Sequence, residues 1–139
     1  MDNLLNTLET ANKEGNKLVL IIGKPGSGKS KIIHEYSSNT GIPILDFSKI
    51  ISSDTEDLKK TMKDFLKSYR FDVLLLDNKK AFYKASKDTE LMDLIKDLSK
   101  DVMVVTTWNG FIEDGQLTHI VNGQEEIYPL DGSFRYIIV

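Results

Sequence analysis

A chain of 139 residues, 40% apolar and 28% charged, has the size and balance of one globular domain able to bury its own core. Its net charge of −3 argues against a protein held to nucleic acid by counterion release, and the absence of cysteine excludes disulfides and zinc-thiolate centres. His34 and His119 stand far apart and form no metal motif, no apolar run approaches a membrane span, and the opening MDNLLNTLE is acidic rather than signal-like, so a cytoplasmic location is expected.

Strand-like runs alternate with helical periodicities, the pattern of an α/β sheet with crossover helices. Residues 2–14 read as a helix with Leu4, Leu5, Leu8 and Ala11 on one face and Gly15 as its stop. KLVLII (17–22) is a continuous apolar run, as a strand covered on both faces requires. A helix is expected over 29–38 and a strand at IPILDF (42–47). Ser53-x-x-Glu56 forms a capping box that opens a helix carrying Leu58, Met62, Phe65, Leu66 and Tyr69 on one face. DVLLLD (72–77) reads as a third strand, 79–86 as a short helix, 88–99 as a clearer helix, and VMVVTT (102–107) as a fourth strand. Gly115, Gly123 and Gly132 then punctuate QLTHIV, EEIYPL and FRYIIV, and Asn122-Gly123 signals a hairpin turn. The chain thus divides into an N-terminal helix (2–14), a core (17–107), and a hairpin with a last strand (115–139), all within one domain.

Residues 23–30, GKPGSGKS, match G-x-x-x-x-G-K-[ST], the Walker A phosphate-binding loop. A random chain of this length matches on the order of 1% of the time, and here the match also follows an apolar strand and precedes a helix. Gly23, Gly26 and Gly28 let successive N–H groups turn into one concavity, to which Lys24, Pro25, Ser27 and Lys31 also contribute backbone. The helix that follows adds its positive end. Lys29 suits the β- and γ-phosphates, and the Ser30 hydroxyl suits Mg²⁺.

Val73-Leu74-Leu75-Leu76-Asp77 reads as a Walker B strand whose terminal aspartate orients the Mg²⁺ shell. One strand (42–47) lies between the two motifs, an order that resembles the additional-strand P-loop ATPases of the AAA+ and RecA-like type. Residues 77–80 read DNKK, without the glycine of the GTPase D-x-x-G signature. Asn78, Lys79 and Lys80 are followed by Ala81 rather than completing N-K-x-D. Only Arg70 and Arg135 are arginines among 18 basic residues, so the arginine-rich lid of a small-molecule kinase is not available.

That resemblance implies ATP and Mg²⁺ as ligands and a three-layer fold with a mainly parallel five-stranded sheet in the order 5-1-4-3-2, carrying a C-terminal β-hairpin and no lid domain. It also implies a polar residue at the end of the fourth strand that senses the γ-phosphate. Thr107 or Thr106 resembles it, with Asn109 as the fallback. The usual catalytic glutamate after the Walker B aspartate is replaced by Asn78, whose amide can orient water but cannot take a proton. Glu35, Glu113 and Asp114 are the alternative acids, each more ordinary as a surface residue. Arg70, ahead of the third strand, and Arg135, early in the last, are expected too far from the phosphates to act within the same chain; either could act from a neighbouring subunit, a surface role being the more ordinary one. The expected activity is therefore a weak or partner-stimulated ATPase, with a non-hydrolysing nucleotide-dependent assembly switch as the rival.

Size, the N-terminal position of the loop, TTWNG after the fourth strand and the hairpin-plus-strand ending also resemble the BrxF family, small P-loop proteins of type 3 BREX phage-defence systems. The resemblance implies a protein partner or homo-oligomer within a DNA-directed antiviral complex. Direct DNA contact would fall to Lys59-Lys60-x-x-Lys63 and Lys79-Lys80, runs that more often form solvated helix faces.

Overall fold

The computed structural model describes residues 2–51, 57–77, 90–121 and 123–139. In chain order the elements are α1 (Asp2–Lys13), β1 (Leu18–Gly23), α2 (Lys29–Thr40), β2 (Ile44–Leu45), a 3-10 turn (Phe47–Lys49), α3 (Leu58–Leu66), β3 (Val73–Leu76), α4 (Leu91–Leu98), β4 (Met103–Glu113), β5 (Gln116–Val121), β6 (Gln124–Pro129) and β7 (Arg135–Ile138). The main sheet runs β2-β3-β4-β1-β7, and every pair along it is parallel. β5 pairs antiparallel with the far half of β4, and β6 pairs antiparallel with β5.

The apolar run of β1 follows from its position, since all six of its residues are buried. Successive side chains leave a strand on opposite faces. Leu18, Leu20 and Ile22 accordingly join Met62 of α3 and Leu94, Ile95 and Leu98 of α4. Val19 and Ile21 join Leu4 and Ala11 of α1 and Ile33 and Tyr36 of α2. The fold is thus α/β, with a mostly parallel open sheet between two helical layers. Lys63 fastens α3 to the end of α4 by donating to Asp97 O at 3.0 Å and to Asp101 Oδ2 at 2.6 Å.

Several elements differ from the sequence reading for identifiable reasons. IPILDF yields only a two-residue β2, because the Asp46 carboxylate accepts from the Ser48 backbone N–H at 2.9 Å and turns the chain into the 3-10 turn. The Ser53–Glu56 capping box and the 79–86 helix lie outside the described residues. The described part of α3 starts at Leu58, with Asp57 as N-cap accepting from Lys60 N at 3.1 Å. Tyr69 falls beyond α3, and its hydroxyl donates to Val73 O at 2.7 Å.

The largest correction concerns β4. It does not end at Thr107 but continues without a break to Glu113, so Thr106 to Asn109 are strand residues rather than a strand end. The continuation leaves the parallel sheet and pairs Gly110 with His119 and Glu113 with Gln116. A turn at Asp114 (φ 52°) and Gly115 (φ 73°) closes this extra hairpin. Both positive φ values belong to the turn type whose twist suits paired strands. The C-terminal region is therefore a three-stranded antiparallel meander grown from β4, followed by β7, rather than an isolated hairpin. Among the described residues no helix is long and apolar enough to cross a membrane.

Candidate functional site

The glycine loop lies at the carboxyl ends of the parallel strands, where open α/β sheets hold ligands. Gly23 is the last residue of β1. The chain then reverses through Lys24-Pro25-Gly26-Ser27, closed by Ser27 N donating to Lys24 O at 3.1 Å. Proline at the second position and glycine at φ 81° in the third are what a type II turn requires. The loop folds tightly over the end of β1. A Cβ on Gly23 would stand 2.3 Å from Ser27 Oγ and 2.9 Å from Val139 O, so only glycine fits. β7 forms one wall, with Val139 N donating to Ile22 O at 2.8 Å.

α2 begins immediately after the loop. Its N-cap is Gly28 at φ 100°, with no side-chain cap and no acidic residue in the first turn. The first N–H groups of a helix have no partner within the helix, and its amino end is partly positive. No side chain caps this end. Ser27 Oγ is the one buried side-chain polar atom among the described residues that lacks a hydrogen-bond partner. Lys24, Pro25, Gly26, Ser30 and Lys31 are exposed along the loop and the first turn.

Lys29 is 7% exposed and curls back over the loop. Its ammonium donates to Gly23 O at 3.1 Å and Lys24 O at 2.7 Å. Burial pushes its pKa below the ordinary lysine value, and the nearby Asp77 carboxylate opposes that shift.

Asp77 follows β3 directly. The parallel register pairs Leu76 with Thr106, which sets Asp77 beside Thr107 on the α2 face. Thr107 Oγ1 donates to Asp77 Oδ1 at 3.0 Å, and Thr107 is 4% exposed. Thr106 leaves the strand on the opposite face, where its hydroxyl donates to Thr107 O at 3.2 Å. Geometry thus separates the two threonines, bringing Thr107 to Asp77 and turning Thr106 to the other face. Asn109 pairs in register with Gly23, half-buried beside the start of the loop. Asn78 lies outside the described residues.

The other acids and the arginines do not converge here. Glu113 and Asp114 sit at the far end of β4, about 20 Å along the strand from Thr107 at roughly 3.3 Å per residue. Glu35 lies on α2, half-buried. Arg135 is held in a two-pronged ion pair by Glu14 at the end of α1, its Nε 2.6 Å from Glu14 Oε2. Arg70 is exposed ahead of β3, at the opposite end of the sheet. Of the lysine runs, Lys63 is engaged with Asp97 and Asp101, Lys59 and Lys60 are exposed, and Lys79-Lys80 lie outside the described residues. A groove of about 500 Å³ also opens at the amino ends of β1, β4 and β7, near Asn16, Lys17, Lys100 and Ser133, remote from the glycine loop.

Among the described residues no three or more His, Cys, Asp or Glu side chains cluster as a metal cage. The oxygen donors that the chain does offer, the Ser30 hydroxyl and the Asp77 carboxylate, are hard ligands. They suit Mg²⁺, which commonly completes its shell with phosphate and water. The uncapped helix end, the buried ammonium and these oxygens together fit a magnesium-bound phosphate ester. No protein-family model, curated protein or solved structure matches this chain.

Proposed function

We propose that this chain is a P-loop ATP-binding protein whose Mg²⁺-dependent hydrolysis is slow or requires a partner. The observation that carries the reading is the place of Asp77, close to the Lys29 ammonium and bonded to Thr107, beside an uncapped helix end where β1 and β3 end and β4 leaves the parallel sheet. The separation of the Walker A strand β1 from the Walker B strand β3 by β4 supports the additional-strand reading.

In this reading the backbone N–H groups of Gly26, Gly28, Lys29 and Ser30 and the positive end of α2 bind the phosphates. Lys29 exchanges its two carbonyl partners for β- and γ-phosphate oxygens. Ser30 and Asp77 hold Mg²⁺, which when bound neutralises charge on the β- and γ-phosphates. Thr107 fixes the Asp77 carboxylate and stands ready for the γ-phosphate. Asn78, the residue after Asp77 in sequence, can orient a water through its amide but cannot accept the water's proton. Slow turnover follows. Adenine is preferred over guanine because both guanine-enzyme signatures are missing from the sequence.

The same asparagine favours a second reading, a nucleotide-dependent assembly switch with negligible turnover, in which ATP binds one association state better than the other. The resemblance to the BrxF family extends the proposal to a cytoplasmic component of a bacterial antiviral complex. Phosphate release from Mg²⁺-ATP by the purified protein, beside light scattering with and without a non-hydrolysable analogue, separates the readings. Turnover supports the ATPase, whereas binding with a change of mass and no turnover supports the switch. Failure to bind any nucleoside triphosphate rejects both.

A further inference from the structure

We infer that Trp108 is a positioning residue for the phosphate site, acting through Thr107 and tying that site to the β5–β6 hairpin; the inference rests on the nucleotide reading above. Thr107 and Trp108 are neighbours on one unbroken strand and leave it on opposite faces. Thr107 reaches Asp77 on the α2 face. Trp108 is fully buried on the other face, among the residues that pack α3, α4 and the meander.

Three contacts fix the indole. Its Nε1–H donates to Thr118 O at 3.3 Å. Its ring lies 4.2 Å from the His119 ring, tilted by 33°. Tyr128 of β6 meets it edge-on at 6.0 Å. Two residues further on, a Cβ at Gly110 would stand 1.8 Å from Thr118 O, so the strands approach there more closely than a side chain allows. β4 is therefore clamped to β5 just beyond Thr107. The backbone that aims the Thr107 hydroxyl at Asp77 has little freedom that the meander does not share. A buried indole N–H needs a partner in any core, so it is the close approach at Gly110, together with the indole bond to the same Thr118 carbonyl, that ties β4 to β5 at this point.

A double-mutant cycle distinguishes positioning from packing. The probe is Mg²⁺ affinity of the nucleotide-bound protein, measured with ADP and with a non-hydrolysable ATP analogue. Trp108→Phe keeps an aromatic ring and removes the N–H donor. If Trp108 acts through Thr107, this change weakens Mg²⁺ by about tenfold in the wild-type background. In the Thr107→Val background, where the hydroxyl that depends on it is already gone, the loss falls below about twofold. His119→Leu, which removes the other side of the stack, gives the same pattern and serves if Trp108→Phe fails to fold. Emission from Trp108, the chain's single tryptophan, changes when the Mg²⁺-nucleotide binds wild type and not when it binds Thr107→Val.

Equal losses in the two backgrounds, or no loss in wild type, overturn the inference. Nucleotide binding that is absent, or unaffected by Lys29→Ala, overturns instead the reading on which it rests.

Discussion

Gly110→Ala tests the clamp between β4 and β5 most sharply. The new methyl carbon would lie 1.8 Å from Thr118 O, and ordinary contact is restored only near 3.4 Å, so β5 must retreat by about 1.6 Å. The obstructing atom is backbone and cannot rotate away. Retreat of this kind in a packed region costs about 1–3 kcal/mol. It also pulls Thr118 O from the Trp108 N–H, a bond worth about 1 kcal/mol. The loss is therefore about 2–4 kcal/mol. At roughly 3 °C per kcal/mol for a chain of this size, Tm falls by roughly 6–12 °C. Gly115→Ala is the control. Its φ is 73° with nothing within 4 Å, so only backbone strain of about 1–2 kcal/mol is expected. Thermal melts followed by circular dichroism and by Trp108 emission give both numbers. If Gly110→Ala melts no lower than Gly115→Ala, the clamp is not as described.

Other consequences are equally direct. Burial pushes the Tyr36, Tyr69 and Tyr128 hydroxyls above the ordinary phenol range, most strongly at Tyr128, which also donates to Glu126. Their folded-state pKa values exceed the unfolded value, so their contribution to stability is complete below about pH 10 and is lost as pH rises above it. Absorbance near 295 nm should show these three ionising only with unfolding. Asp57→Ala removes the cap on Lys60 N and should cost about 1 kcal/mol in a urea melt, with faster amide exchange confined to the first turn of α3. Asp77→Asn should weaken Mg²⁺-dependent nucleotide binding by about tenfold or more while leaving Mg²⁺-free binding nearly unchanged, as paired titrations would show.

The sequence disclosed most where one force dominated. The apolar run at 17–22 announced a strand covered on both faces, and β1 is buried throughout. The spacing of Leu91, Leu94, Ile95 and Leu98 announced the buried face of α4. It disclosed less where a polar side chain diverted the backbone, as Asp46 does when it ends β2 after two residues. β4 was harder still. Thr106, Thr107 and Asn109 look like a strand leaving the core, but both threonines are buried with partners inside the protein. Asp114-Gly115 was the available signal for the extra hairpin, and glycine at 110 within a strand marked a close backbone approach.

At the site, motif spacing identified the loop, Lys29 and Asp77 as candidates. It favoured Thr107 over Thr106 without a physical ground, because that choice depends on which face each residue takes in the β3–β4 register. Nor could spacing reveal Val139 as a wall of the loop or the indole bond behind Thr107, since both contacts join segments remote from the motif.

The central claim is that the Gly23–Ser30 loop binds a nucleotide through Lys29. Calorimetric titration of Mg²⁺-ATP into wild type and Lys29→Ala tests it most directly. The account predicts a saturable isotherm with one site for wild type and none for a folded Lys29→Ala protein. An unchanged isotherm in the variant, or no binding to wild type, would contradict it.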